Sequence, residues 1–432
     1  MRSASRPRHA SAVEIDPVEE AMTVAASEFD AIVVGARAAG APTAMLLGRK
    51  GYRVLLVDRA TFPSDTMSTH LIHAPGMELL QRWGLADRVV ASGCPPVTTY
   101  RLDLGPFAIA GAPRGAGAAT HAFAPRRIVL DAILVDAAVE AGAELREGTS
   151  VDGLIVEDGV VRGIRGRDQA EAMFEERARV VIGADGVHSS VARWVDAPIT
   201  HQVPALEALY YAYWSGFPSD GEFQLFQRGE RGFGVIPTND DLTAVIVAWP
   251  VDEFEANRRD LLGNYLRAFD ADPSLAERIR AGRRETRLVG AKMHNFYRRS
   301  HGPGWALIGD AGYHKDAVTA QGITDAFRDA ELVTNALDDT FTGRRAQDEA
   351  LAAYERTRDR STRPMFDLTC QFAANDPPSE EEAQLFALIA SREDATQDFV
   401  SVLAGTMPVE AFFDPGNLER YVAMSGSSPA VM

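Results

Sequence analysis

The sequence predicts an α/β protein: a Rossmann-like dinucleotide-binding domain, an inserted antiparallel β-sheet substrate domain and a C-terminal helical segment. Three observations predict it. An apolar run, a glycine-containing turn, a small-residue helix pattern and a second apolar run follow one another between Phe29 and Ala60. Residues 208–249 are rich in aromatic and β-prone residues, and helical patterns fill the chain after Gly343. A chain of 432 residues is long enough for two or three domains.

The domain boundaries expected from these patterns are discontinuous. The dinucleotide-binding domain takes 28–96, 126–200 and 286–345, the substrate domain takes 97–125 and 201–285, and the helical segment takes 346–422. Residues 1–27 are polar and without periodicity, so we expect a disordered tail there, and a second tail covers 423–432.

Bulk composition narrows the class of protein. A net charge of −17 argues against nucleic acid and anionic membrane surfaces as partners. No stretch approaches the roughly 20 apolar residues of a transmembrane helix. The two cysteines, Cys94 and Cys370, lie far apart and are expected to be free thiols in a reducing cytoplasm. No metal site is predicted.

The first motif is a βαβ unit, and each of its parts has a physical role. Gly35 allows the sharp turn that follows the first strand, and Gly40 lets the helix pack closely on the sheet. The helix N-terminus offers free N–H groups to a pyrophosphate. Asp58 lies 23 residues after Gly35, where a carboxylate accepts hydrogen bonds from ribose hydroxyls. The unit therefore predicts dinucleotide binding.

Arg37 departs from the glycine pattern, because it stands at the position of the middle glycine. That position normally lets the backbone approach the phosphates closely. A side chain there either moves the pyrophosphate away or pairs with it through the guanidinium.

Two further stretches carry titratable groups. The polar connection 61–76 contains His70 and His73, which are candidates for proton transfer, although histidines satisfied by loop backbone are the commoner case. An amphipathic helix begins at Arg126 and Arg127, although basic residues are disfavoured at a helix N-terminus. Either an anionic group lies nearby or the two arginines form a solvated cap.

Two strand ends complete the motifs. A buried strand ends in Gly183-Ala184-Asp185-Gly186, and a later one ends in Gly309-Asp310 before a helix that starts at Gln321-Gly322-Ile323. Side chains at the carboxyl ends of parallel strands meet at the ligand edge of a sheet. The alternative is a plain strand–loop–helix joint. In the aromatic stretch, Tyr211, Trp214 and Phe223 would line a pocket, although such aromatics more often form core.

These motifs, in this order, make the chain similar to the FAD-dependent monooxygenases of the para-hydroxybenzoate hydroxylase fold. That superfamily also holds geranylgeranyl-reductase-like oxidoreductases and flavin-dependent halogenases. The resemblance covers about 29–337. It implies FAD, NADPH or NADH as reductant, and dioxygen. The flavin C4a-hydroperoxide would hydroxylate or epoxidise an electron-rich, aromatic small molecule, in natural-product (secondary) metabolism. A separate flavin reductase is a further partner it allows.

The resemblance also implies a role for each motif. Asp58 resembles the ribose-binding acid, Arg127 the arginine near the FAD ribose and pyrophosphate, and Asp310 the aspartate on the ribityl or ribose. Asp185 and Gly186 resemble a motif shared between FAD and nicotinamide binding, and 321–323 would place N–H groups near the flavin N1–C2=O. The implied FAD-binding residues are Gly35, Arg37, Ala38, Ala39, Gly40, Asp58, Arg59, Arg127, Asp185, Gly186, Gly309, Asp310, Gln321, Gly322 and Ile323. The catalytic candidates are His70, His73 and Tyr211.

Departures from the hydroxylase pattern keep other activities open. Ala317, Ala320 and Thr324 stand where the hydroxylases have proline, glycine and asparagine, which weakens the inference to oxygen chemistry but not to FAD. The alternative is a reductase or dehydrogenase of the geranylgeranyl-reductase-like type, acting on C=C or C–N bonds. A binding module with a degenerate site is the third candidate. A halogenase is set aside, because that branch needs a lysine and none lies between Lys50 and Lys292.

Overall fold

The computed structural model describes residues 28–425, so the tail expected at 1–27 and most of 423–432 lie outside the described residues. The βαβ unit forms as expected: strand β1 is Phe29–Val34, helix α1 is Gly40–Arg49 and strand β2 is Val54–Val57. Both strands are almost entirely buried and pair in parallel. Between β1 and α1 the backbone turns at Gly35, where φ is +103°.

The remaining strands alternate with loops and helices along the whole first three quarters of the chain. They are β3 Pro96–Val97, β4 Thr99–Asp103, β5 Ala108–Gly111, β6 Ala122–Phe123, β7 Glu144–Arg146, β8 Ser150–Glu157, β9 Val160–Arg167, β10 Met173–Gly183, β11 Ile199–Val203, β12 Glu207–Ser215, β13 Glu222–Arg228, β14 Arg231–Pro237, β15 Thr243–Pro250, β16 Arg283–Arg284, β17 Val289–Lys292, β18 Asn295–Arg298, β19 His301–Gly302, β20 Trp305–Leu307 and β21 Tyr313–His314.

The other helices are spread along the chain and are more frequent in its second half. They are α2 Ala74–Arg82, α3 Ala86–Ala91, α4 Arg127–Glu140, α5 Ser190–Trp194, α6 Phe254–Asn257, α7 Leu261–Ala268, α8 Pro273–Ala281, α9 Gly322–Phe341, α10 Gln347–Ala373, α11 Glu380–Ala390, α12 Glu393–Leu403, α13 Val409–Phe412 and α14 Pro415–Ser425.

The first sheet positions the motifs. Its strand order is β19-β20-β10-β1-β2-β7, and all pairs except β19–β20 are parallel. The hairpin β8–β9 pairs with the first half of β10. Because β1, β2, β10 and β20 run in the same direction, the residues that follow them gather at one edge. Gly35, Asp58, Ala184 and Gly309 are those residues.

The second sheet has the order β16-β12-β15-β14-β13-β4-β5, with β17 also on β12. Its pairs are antiparallel except β4–β13, which is parallel. Strands from 97–125 and 201–285 thus share one sheet, and β17 joins them from outside those ranges. The domain boundaries stay a prediction.

The two faces of β12 correct one expectation. Side chains alternate along a strand, so Tyr211 and Tyr213 pack on one face, whereas Trp214 packs on the other with Tyr265 of α7. The Trp214 Nε1–H donates to the Tyr265 hydroxyl at 3.1 Å. Trp214 is therefore core beneath helices α7 and α8, and the expectation that it lines a pocket with Tyr211 is wrong.

The C-terminal segment is helical, as the pattern after Gly343 indicates. Helix α10 is followed by α11 to α14, which pack with strand β5 in the core on the inner face of the second sheet. Cys94 and Cys370 are free thiols, as expected. Within residues 28–425, no helix combines the length and the apolar character needed to cross a membrane.

Candidate functional site

The glycines of three motifs that are far apart in sequence meet at one edge of the first sheet. A Cβ placed on Gly35 would lie 2.4 Å from the Ala184 carbonyl oxygen, and one on Gly40 would lie 1.8 Å from the Gly35 oxygen. A Cβ on Gly309 would lie 2.9 Å from the Cβ of Ala39. These approaches are closer than any side chain allows, so glycine is required where the three turns pack together.

Asp58 ties the glycine-rich turn to the end of β2. Its Oδ2 accepts from the Ala36 N–H at 2.7 Å, and its Oδ1 accepts from the Ala60 N–H at 2.8 Å. A carboxylate has about four acceptor positions, so two stay available to ribose hydroxyls. Holding the turn and binding the ribose are thus compatible roles, the second of which is a prediction.

Arg37 and Arg127 share one buried carboxylate. The Arg37 Nη1 lies 2.6 Å from Asp131 Oδ2, and Arg127 Nη2 lies 2.9 Å from Asp131 Oδ1, while the Asp131 side chain is fully buried. The Arg37 Nη2 also donates to Ser64 Oγ at 2.8 Å. The acid that explains Arg127 at the start of α4 therefore lies one turn along the same helix, whereas Arg126 pairs with Asp65 and Asp240. Two guanidiniums on one carboxylate leave a positive charge that suits a pyrophosphate.

Asp185 caps helix α5. It accepts from Ser189 Oγ at 2.5 Å, from the Ser190 N–H at 2.6 Å and from the Val191 N–H at 3.2 Å. These bonds account for both carboxylate oxygens. Its expected part in FAD and nicotinamide binding, with Gly186, stays a prediction.

The Gly309-Asp310 turn and the start of α9 border a small cavity. Asp310 is exposed, and no described residue forms a hydrogen bond or ion pair with it that would occupy its carboxylate. Helix α9 begins at Gly322, where an added Cβ would meet nothing within 4 Å. Its first-turn amides precede the first helical bond, from Asp325 N–H to the Gln321 oxygen at 2.9 Å. Open space, free amides and an unpaired carboxylate fit the ribityl and ring portion of FAD.

Gln321 itself turns away from that space. Its side chain is buried, and Nε2 donates to the Leu403 carbonyl at 2.8 Å. The backbone of 321–323 is thus free to face the flavin while the Gln321 side chain holds the C-terminal segment.

Two acids on α9 were missed in the sequence. Asp329 is buried, and its Oδ2 accepts from the Gly309 N–H at 2.9 Å; burial raises the pKa of this carboxyl from 3.8 to about 6. Asp325 is buried with Lys315 and with Arg328, whose Nη1 lies 2.7 Å from Asp325 Oδ1. The sequence does contain a signal for them, because Asp325 and Asp329 lie four residues apart on the apolar side of a predicted helix.

The two histidines of the connection 61–76 are fully buried and differ in their partners. His73 Nδ1 lies 2.7 Å from the Tyr100 hydroxyl and Nε2 lies 3.0 Å from the Thr319 carbonyl oxygen. Burial lowers the pKa of His73 to about 4, so the ring is neutral. Because a carbonyl only accepts, the proton is on Nε2 and Nδ1 accepts from Tyr100. His73 therefore links loop 316–320 to strand β4.

His70 keeps one nitrogen without a partner among the described residues. Nε2 lies 2.8 Å from the Tyr213 hydroxyl, whereas the buried Nδ1 has no hydrogen bond. Burial, then the charges of Arg127 and Arg126, lowers the pKa of His70 to about 3. Of the three catalytic candidates, His70 is thus the one with a free polar atom. Tyr211 accepts from the Ser68 N–H at 3.4 Å. The catalytic roles stay predictions.

A second, larger cavity lies against the inner face of the second sheet. Phe223 lines it, as expected, and so do Ala317 and Val318 of the loop that leads to Gln321. The C-terminal segment forms another wall of this cavity, and the sequence did not predict that contribution. The lining residues are Thr69, Leu102, Glu207, Leu209, Phe223, Leu225, Phe226, Gln227, Gly232, Phe233, Gly234, Ile236, Ile246, Ala248, Ala317, Val318, Phe372, Asn375 and Leu403.

Comparison with known proteins identifies a family. The sequence model described as "FAD binding domain" matches residues 28–369. Digeranylgeranylglycerophospholipid reductase of Methanocella arvoryzae is 28% identical over 341 residues, which are 76% of this chain and 82% of that protein. Rifampicin monooxygenase of Streptomyces venezuelae is 25% identical over 241 residues, or 51% of this chain and 45% of that protein.

Solved structures share the fold. The flavin-dependent brominase Bmp2 superposes with a TM-score of 0.79 at 17% identity, covering 93% of this chain and 99% of that one. An identity this low establishes the likeness of fold alone.

Proposed function

The chain belongs to the FAD-binding family matched above and is an FAD-dependent oxidoreductase; from that premise we propose that it is a monooxygenase. Its substrate would be an electron-rich, aromatic and largely apolar small molecule, which it hydroxylates or epoxidises. NADPH or NADH would supply the electrons, either directly or through a separate flavin reductase.

The observation that carries the proposal is the position of the larger cavity. Ala317 and Val318 line it, and Gly322, where α9 begins four residues later, lines the smaller cavity. A ligand in the larger cavity would therefore lie beside the loop that we assign to the flavin. Most of the lining side chains are aliphatic or aromatic, which suits an apolar substrate.

The residues of this chain would hold and shield the reactants. When bound, FAD supplies the redox chemistry of a monooxygenase. The α9 amides and Asp310 would fix the flavin end, and Asp58 with Arg127 would fix the nucleotide end. His73 holds the loop between the two cavities through the Thr319 carbonyl. The sheet and the C-terminal segment would exclude water from the substrate.

A reductase acting on C=C bonds is the second candidate. Two observations favour it: the similarity to the lipid reductase above, and Ala317 and Ala320 at positions where the hydroxylases have proline and glycine. Glu207, an acid buried in the cavity wall, could serve such a reaction as proton donor.

Isotope labelling separates the two candidates. The yellow holoprotein would be mixed with NADH or NADPH, a panel of apolar phenols and ¹⁸O-labelled dioxygen, and products would be analysed by mass spectrometry. One labelled oxygen atom per product supports the monooxygenase. Rapid consumption of NAD(P)H and oxygen without labelled product would overturn it.

The reductase arm uses geranylgeraniol without oxygen. A mass gain of two hydrogens per reduced double bond would establish the second candidate. A purified protein that binds no flavin would contradict both.

A further inference from the structure

The larger cavity has one charged residue among its described lining residues, and it is an acid. Glu207, the first residue of β12, is only 2% exposed and faces a chamber whose other polar lining residues are Thr69, Gln227 and Asn375. Asn375 Nδ2 donates to Glu207 Oε2 at 3.0 Å. Burying a carboxyl group in such apolar surroundings costs free energy unless the group has a hydrogen-bonding or charged partner.

The partner of Glu207 is a second carboxyl. Asp316, 1% exposed, is the charged neighbour of Glu207: burial first, and then repulsion from the Asp316 carboxyl, raise the pKa of Glu207. Asp316 Oδ1 accepts from the Val318 N–H at 3.0 Å, whereas the buried Oδ2 receives no hydrogen bond from an N–H or hydroxyl of any described residue. The carboxyl proton of Glu207 is the donor that can satisfy this side, so the two acids share one proton.

That proton leaves one negative charge on the pair. No lysine or arginine within 28–425 forms a salt bridge with either carboxyl. Lys315, the residue next to Asp316, pairs with Asp325 instead. The titratable groups that face Asp316 are His314, whose Nδ1 is bonded to the His294 carbonyl, and Cys370. Burial raises the pKa of that thiol to about 12, so it stays neutral. Glu207 therefore faces the chamber, and Asp316 lies behind it and shares the negative charge of the pair.

We propose that Glu207, with Asp316 behind it, is the polar anchor of this chamber and binds a hydrogen-bond donor, a protonated amine or a hydroxyl, on an otherwise apolar substrate. The inference rests on the proposed function in taking the chamber as the substrate site. An ammonium group would give the buried charge its missing counter-ion. A carboxylate of the same shape would place a third acid beside the pair and be rejected.

Three probes that share an apolar phenylalkyl tail and differ in their polar group test the anchor: 4-phenylbutylamine, 4-phenyl-1-butanol and 4-phenylbutyrate. Each would be titrated into the FAD-loaded protein at neutral pH, with binding followed by calorimetry. We expect the amine to bind at least roughly ten-fold more tightly than the carboxylate, with the alcohol between them. Equal binding, or tighter binding of the carboxylate, would overturn the proposal without any variant.

Variants assign the preference to the pair. Glu207→Gln and Asp316→Asn should each reduce the amine-to-carboxylate ratio to within about three-fold. Glu222→Gln is the matched control, because Glu222 is the first residue of β13 in the same sheet and pairs with Arg101 rather than lining the chamber. An unchanged amine-to-carboxylate ratio in Glu207→Gln would show that Glu207 does not anchor the substrate. FAD content and melting temperature, measured for every variant, separate loss of fold from loss of preference.

Binding of the probes requires no turnover. A preserved ranking with no labelled product would therefore contradict the monooxygenase alone, and a lost ranking with labelled product would contradict the anchor alone.

Discussion

The Asp329 carboxylate accepts a hydrogen bond from the Gly309 amide at 2.9 Å, across 20 residues of chain. This bond joins helix α9 to the turn that carries Asp310. The turn and the helix start bound the same small cavity. The geometry of the proposed flavin end therefore depends on an acid inside the helix.

Replacement of Asp329 should change how stability depends on pH. Its pKa is raised from 3.8 to about 6, so between these values the folded protein keeps a proton that the unfolded chain has lost. Stability then falls as pH rises through this window, by about 3 kcal/mol for two pKa units. Asp329→Asn keeps an acceptor for Gly309 and should lack this fall. Urea unfolding from acidic to neutral pH measures it, with the exposed Asp367→Asn as control; parallel profiles for Asp329→Asn and wild type would refute the assignment.

The buried histidines should produce the opposite slope. The pKa of His73 is lowered from 6.5 to about 4. Between these two pH values His73 is protonated in the unfolded chain and neutral in the folded protein. The contribution of His73 to the free energy of unfolding is therefore fully present above pH 6.5. It is lost as the pH falls towards 4, by about 3 kcal/mol. His73→Gln should flatten the acid limb of an unfolding profile. His121, which is exposed, offers a control as His121→Gln, and an equal flattening in both would count against the assignment.

The same residues separate positioning from catalysis. His73 has both nitrogens bonded, whereas His70 Nδ1 is free, so His70→Asn should lower kcat at least roughly ten-fold if that atom takes the substrate proton. Asparagine is chosen because His70 has φ +64°, a conformation that asparagine tolerates. Turnover equal to wild type in His70→Asn, at unchanged FAD content, would remove His70 from the mechanism.

Arg37→Gly tests the departure from the glycine pattern. The guanidinium pairs with buried Asp131 and with Ser64, so its removal should cost about 1–3 kcal/mol of stability and change the FAD dissociation constant. Asp131→Asn removes the shared acid of Arg37 and Arg127 and should cost more. Denaturant melts and flavin fluorescence titrations give both quantities. An unaltered FAD affinity in Arg37→Gly would make Arg37 a structural link alone.

Gly322→Ala separates cofactor binding from folding. No atom lies within 4 Å of an added Cβ, and alanine suits a helix start, so stability should stay within about 0.5 kcal/mol of wild type. A methyl group in the space assigned to the flavin should still weaken FAD at least roughly ten-fold. Gly40→Ala is the contrasting variant, because its Cβ would meet the Gly35 oxygen at 1.8 Å and the fold should suffer. Tight FAD binding by Gly322→Ala would place the ring elsewhere.

The sequence was most informative where the structure is local. Gly35, Gly40 and Asp58 predict β1, α1 and β2 because turn conformation, helix packing and strand burial are all encoded within 30 neighbouring residues. The family motifs also predicted the meeting of Ala184 and Gly309 with the first turn, since parallel strands bring their carboxyl ends to one edge.

Long-range packing was less predictable. The face on which Trp214 lies depends on the register of β12, which a run of consecutive aromatics does not specify. The partner of Arg37 lies 94 residues away, and Asn375 follows a helix with no motif. Glu207 and its neighbour Asp316 are 109 positions apart in the chain (316 − 207), so no local pattern indicates that the two acids interact.

The wall that Phe372, Asn375 and Leu403 contribute to the larger cavity lies outside every motif that predicts the cofactor. Selection can therefore alter the molecule that this protein accepts by changing its last quarter, while the glycine turns near the start of the chain stay as they are. The Gln321–Leu403 bond limits that freedom at one point, since a substitution that shifts Leu403 also shifts the start of α9. Substrate choice and flavin binding can thus change separately within one chain, except where contacts such as the Gln321–Leu403 and Thr319–Thr369 hydrogen bonds tie the C-terminal segment to the loop before α9.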